Sequence, residues 1–181
     1  MSFEAALQGW HDFYVATAGA AAALLGLLFV GVSIGLGGLD AAHRVEVRNR
    51  ANQAFVNLTF VLVIALTALI PGQDAASMTI TCGVLTVLGL AGVGRRLLVL
   101  ARSRSTARVA VRSFRHLFWS LLAVAFLGFA TYEFRVTGTA GTLYDLIAVI
   151  FLLLLGAADV SWDLLITVGD DEAEDARGAP R

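Results

Sequence analysis

Between Phe13 and Leu36 the chain runs FYVATAGAAAALLGLLFVGVSIGL without one charged side chain. At about 1.5 Å rise per residue, a helix over this stretch is long enough to cross a hydrocarbon core of about 30 Å. The bilayer offers no water to backbone N–H and C=O groups, so a helix is the form such a run takes there. Small residues recur along it at four-residue intervals: Ala18, Ala22 and Gly26; Gly19 and Ala23; Gly31 and Gly35. That spacing makes a flat face on which another helix backbone can approach closely, and the stretch is read as a helix-packing face. The plainer reading is a spanning helix that tolerates small residues, as many do.

Composition agrees with lipid as the solvent. Hydrophobic residues make up 58% of the chain and charged residues 15%, against about 25% charged in soluble domains. The mean hydropathy is +0.79. The formal net charge of -1 hides a strong segregation of charge along the chain, and all 13 basic residues are arginine. Cys82, the single cysteine, lies in an apolar segment and can form no intrachain disulfide. The N-terminus carries Glu4 and Asp12 but no arginine, and the apolar run behind it is longer than an h-region. A cleavable signal peptide is therefore not expected.

Taken in order, residues 1–12 read as an amphipathic interfacial lead-in, with Phe3, Leu7 and Trp10 about one turn apart. Trp10, Phe13 and Tyr14 are expected to form an aromatic belt at the membrane surface, beside a hydrated His11–Asp12 pair. Five spans follow, at about 13–36, 53–70, 77–94, 117–134 and 142–168, making a transmembrane domain of residues 13–168. Pro71-Gly72 marks a turn after the second. Residues 169–181 form an acidic tail, expected to be disordered. The fold class is an all-α membrane bundle.

Orientation follows from arginine. The segments after spans one and three hold three and seven arginines, whereas the lead-in and the loop after span two hold none. Arginine accumulates on the cytoplasmic side, which puts the N-terminus outside and the C-terminus in the cytoplasm.

The best functional candidates lie in span five. Asp159 and Asp163 are four residues apart and so share a helical face, with Trp162 beside them. Asp159 is expected about 6 Å beyond the bilayer midplane, and Asp163 about 12 Å. A carboxylate near the midplane costs about 2.5–3.5 kcal/mol, so Asp159 should face a partner or water. It is either an ion or proton site or a structural partner of Arg48, Arg95 or Arg96. Asn57, with Thr59, is placed near the cytoplasmic end of span two, either as interhelical glue or lining a polar cavity with Asp159. Arg104, Arg108, Arg112 and Arg115 recur every three or four residues and form a basic stripe if helical. Beside a membrane, such a stripe contacts anionic lipid headgroups rather than nucleic acid. The acidic run Asp170–Asp175 is a candidate to fold back on it. On the outer side Glu133, Arg135 and Asp145 are expected to pair with one another.

Enzyme signals are lacking. GLAGVG at 89–94 has neither the preceding strand nor the Lys-Ser/Thr ending of a phosphate loop. There is no HExxH, no CxxC and no supported Ser/His/Asp order, and the three histidines fall on opposite sides of the predicted bilayer. No catalytic residue, metal site or cofactor is assigned.

Trp10-x-x-Phe13 followed by AGAAAALLGLLFVGVS at 18–33 resembles the first helix of small uncharacterised bacterial multi-span integral membrane proteins, and WDLL at 162–165 adds to the likeness. The resemblance covers about a quarter of the chain and implies several spans in the plasma membrane. It carries no functional residues over. The sequence thus points to a non-enzymatic membrane protein, a homo-oligomeric small-ion or proton path near Asp159, Asp163 and Asn57. The alternative is an accessory subunit that packs against a partner membrane protein, such as a transporter or membrane protease, and regulates or stabilises it.

Overall fold

The computed structural model describes the backbone of residues 7–35, 41–72, 74–102, 107–138 and 141–178. Within these it describes side chains at 7–33, 47–72, 74–95, 97–98, 118–138 and 141–162. Five long helices account for nearly all of it: α1 (His11–Gly35), α2 (Ala41–Ala68), α3 (Ala75–Arg102), α4 (Ala107–Val136) and α5 (Thr142–Gly178). A helical turn at 7–9 precedes α1, and no strand occurs among the described residues.

The helices run up and down. One end of the bundle, the Pro71 end, carries the start of α1 and the α2–α3 and α4–α5 connections. The other, the arginine end, carries the α1–α2 and α3–α4 connections. Among the described residues, four stretches are long and apolar enough to cross a membrane: His11–Ser33, Val47–Ala68, Ala75–Arg95 and Thr142–Trp162. The expected fourth span, 117–134, lies inside α4, a helix of 30 residues.

Packing does not follow chain order alone. α3 packs on α4, α4 on α5, α5 on α2 and α2 on α1, while α2 and α3 barely touch. The connection between α2 and α3 is short, so these two are neighbours in sequence that splay apart in space. Pro71 and Gly72 make the turn, with Gly72 at φ 69°, a left-handed conformation that glycine adopts freely. Asp74 then caps α3: its carboxylate accepts the Ser77 N–H at 2.8 Å.

The core sits between α2, α3, α4 and α5 toward the Pro71 end. Ile64, Met78, Leu127, Leu143, Leu146 and Ile150 are almost fully buried there. α1 joins this core through one narrow stripe. Tyr14, Ala18 and Ala21 are buried, with Leu25 and Leu28 half-buried below them against Ala54, Leu58, Ala157 and Val160. The rest of α1 faces outward.

Two expectations change. Tyr14 does not face outward: it is fully buried, because it falls on the same helical face as Ala18 and Ala21. The aromatic cluster at that end is Trp10, Phe13, Tyr14 and Tyr144, with Trp10 edge-on to Phe13 and Tyr144 at 5.8 and 5.2 Å and Phe13 edge-on to Tyr14 at 5.4 Å. Second, Glu133, Arg135 and Asp145 form no ion pair with one another; among the described residues the His11–Asp12 contact, 3.3 Å and exposed, has that geometry. The described backbone of α5 runs as helix to Gly178.

Candidate functional site

One group of polar side chains inside the bundle lies where α2, α4 and α5 meet. Gln53 and Asn57 are four residues apart on α2 and share a face. Gln53 Nε2 donates to Ser120 Oγ of α4 at 3.3 Å. Asn57 is 6% exposed, and Ser120 is buried at 7%. Gly156 of α5 makes room for the amide: a Cβ there would stand 3.0 Å from Asn57 Nδ2 and 3.5 Å from Trp119 Cβ. Asp159, one turn beyond Gly156, is half-buried. Asp159, Gln53 and Arg50 each take part in an interaction, and the Asp159 Oδ2 atom is itself buried with no hydrogen bond among the described residues.

Asn57 lies in the apolar part of α2, one turn beyond Gln53 and the polar run VRNRANQ at 47–53. An amide there needs a protein neighbour, and Gly156 supplies the closeness. Of the expected path residues, the structure brings Asn57 and Asp159 to one helix junction. Asp163 is on the same face of α5 by register, and its side chain lies outside the described residues.

Chemically, the cluster offers one carboxylate, two amides and a hydroxyl, a set that can hold a proton or a small hydrated cation. No group of three or more His, Cys, Asp or Glu side chains able to hold a metal occurs among the described residues. Toward the Pro71 end the cluster gives way to the apolar core. There the Tyr14 hydroxyl is buried with no hydrogen-bond partner among the described residues, and Cys82 is a buried free thiol.

The small-residue face of α1 divides. Ala18 is buried inside the chain's own bundle, whereas Gly19, Ala22, Ala23 and Gly26 point outward together, and Gly31 faces outward on another side. A Cβ at Gly19, Gly26 or Gly31 would meet nothing within 4 Å. Gly35 closes the helix beyond the described side chains. Besides Gly156, the glycines with close neighbours are on α3 and α4. Gly89, inside the GLAGVG run, would place a Cβ 2.7 Å from Val124 Cγ2, and Gly83 and Gly128 sit against Thr131 and Thr86. Those two threonines face each other at 3.3 Å.

Arg104 lies outside the described residues. Arg108, Arg112 and Arg115 fall on α4, where their spacing puts them on one side of the helix; their side chains lie outside the described residues. Spacing on α2 could have found Gln53 beside Asn57. Nothing in the sequence marked Ser120 or Gly156, which belong to the cluster only because α4 and α5 pack there. No family model, curated protein or solved structure matches this chain.

Proposed function

We propose that this chain is a non-enzymatic, five-span protein of the cell membrane that works as an assembly subunit, packing through α1 against a neighbouring membrane protein. The neighbour is a second copy or a larger complex that the chain stabilises or regulates. One observation carries the reading: the face of α1 formed by Gly19, Ala22, Ala23 and Gly26 is turned away from its own bundle, with open space over Gly19 and Gly26. Helices in lipid associate by backbone approach over such faces, and among the described residues nothing lies within 4 Å of a Cβ added at Gly19 or Gly26. The arginine distribution supports an outside N-terminus and a cytoplasmic arginine end.

The test is cross-linking in native membranes through a cysteine at Ala22, with Cys82 replaced by alanine. A specific adduct at that position supports the assembly role, and adducts of equal yield from the buried side of α1 count against it. Cysteine labelling at the Pro71 and arginine ends from either side of the membrane checks the orientation.

A second reading, a homo-oligomeric path for a small ion or proton, is favoured by the cluster of Asn57, Gln53, Ser120 and Asp159 inside the bundle. The apolar core toward the Pro71 end weighs against a path through a single copy. Flux through liposomes holding the purified protein, wild type beside Asp159→Asn, separates the two. Flux abolished by the substitution supports a path, and its absence in both leaves the assembly role.

A further inference from the structure

At the arginine end, α1 and α2 part to leave a crevice of about 170 Å³. Its walls are Leu28, Phe29 and Val32 from α1 and Phe55 from α2, and its rim carries Arg48 and Asn52. We propose that this crevice is a binding site for one anionic phospholipid, with the phosphate at Arg48 and Asn52 and the start of an acyl chain lying between Phe29 and Phe55. The site rests on the chain's being a membrane protein.

Register on α2 gives the crevice its polarity. Arg48 and Asn52 are four residues apart and stack on one face, and Phe55 lies a further turn along. From Arg48 to Phe55 the helix rises about 10 Å, passing from charge through amide to aromatic ring. Headgroup and upper acyl chain of a phospholipid change character in the same order over a similar distance.

The groups involved are open for a ligand. Arg48 is exposed and makes no hydrogen bond or ion pair with any described residue, and no described acidic side chain lines the crevice. Phe29 and Phe55 are 69% and 46% exposed. A free anion would satisfy Arg48 and leave both rings uncovered, while a neutral chain would cover the rings and leave the arginine without a counter-charge. An anionic amphiphile does both. Size limits the number: an apolar cavity of about 150 Å³ takes one benzene-sized molecule, so this crevice holds a segment of a single chain. Basic pockets between spanning helices on the cytoplasmic side recognise anionic headgroups by the same electrostatics.

The experiment is native mass spectrometry of the full chain released from micelles containing equal amounts of phosphatidylglycerol and phosphatidylcholine. The wild type is expected to retain one phosphatidylglycerol in preference to phosphatidylcholine. Arg48→Gln should weaken that retention about five- to tenfold, as expected for losing one interfacial cationic contact. Phe55→Ala should weaken it too, although no charge changes, and Arg135→Gln at the opposite end should leave it unchanged. Arg48, Phe55 and Arg135 are exposed, and an unchanged elution volume verifies that each variant is folded. Equal retention in Arg48→Gln overturns the proposal. Retention indifferent to Phe55 overturns it as well, since diffuse charge attraction would then suffice. So does displacement of the lipid by an equal concentration of glycerol 3-phosphate, which would make the ligand the anion alone. Loss of lipid on cross-linking Phe29→Cys to another copy would give the crevice to protein and likewise overturn it.

Discussion

Where α3 meets α4, a methyl group added at Gly89 would stand 2.7 Å from Val124 Cγ2, and one at Gly83 would stand 3.6 Å from Thr131 Cγ2. On α1 the same addition at Gly19, Gly26 or Gly31 meets nothing within 4 Å. Both regions are apolar helices with small residues at short intervals. In the first, the absent side chains are occupied by a neighbouring helix of the same chain. In the second they are left open on the outside of the bundle. Small-residue spacing therefore marks where a helix can be approached, and only the partner's position shows whether it is. The α3–α4 glycines build the fold, and the α1 glycines have open space over them among the described residues.

Substitutions can press on this contrast, beginning with the side of α1 that does pack. Tyr14→Ala should cost about 3–5 kcal/mol, because it empties a fully buried aromatic site. Tyr14→Phe should be neutral or slightly stabilising, since the hydroxyl it removes is buried without a hydrogen-bond partner. Reversible unfolding in mixed micelles measures both; a large loss in Tyr14→Phe would show that the hydroxyl is bonded. Gly89→Ala should cost about 1–3 kcal/mol, as Val124 has to move to admit the methyl. Gly26→Ala, by contrast, should leave the unfolding of a single copy unchanged while lowering the cross-linking yield at Ala22. If Gly26→Ala destabilised the isolated chain as much as Gly89→Ala, the distinction between the two regions would collapse. Thr131→Val should cost about 0.6 kcal/mol through loss of the contact with Thr86 across α3 and α4.

The smallest effect lies outside both regions. Asp74 is held below the ordinary carboxylate range by its hydrogen bonds from Ser77, side chain first and then backbone. A lowered folded-state pKa means the cap contributes above the unfolded value of about 3.9 and is lost as pH falls through the lower folded value. Relative to its intrinsic rate at the same pH, amide exchange at Ser77 should therefore quicken below about pH 4 in the wild type. In Asp74→Ala it should already be fast at neutral pH. Equal exchange in the two proteins would remove the cap from the account.

Asn57 and Gly156 show how far the site could be read in advance. The amide was visible as a polar residue in an apolar run, and Asp159 as a carboxylate in another. Their meeting was not visible, because glycine carries no chemical signal until a neighbouring side chain fills the space it leaves. Tyr14 was misplaced for a related reason. An aromatic at the start of a span suits either the interface or the core, and its angular position relative to the other helices decides between them.

The sequence by itself determined the helices. Long uncharged runs admit little else when backbone groups must bond within the segment, and Pro71-Gly72, together with the polar stretches, divides one run from the next. It also determined the arginine asymmetry between the two ends. The tertiary structure alone decided which helices touch: that α2 turns from α3 toward α5, that α3 and α4 close over their glycines, and that α1 keeps its small residues outside. Helix formation is settled by hydrogen bonds and burial a few residues apart. The choice of neighbours is settled by shape matching between residues far apart in the chain, and one helix face carries only half of that match.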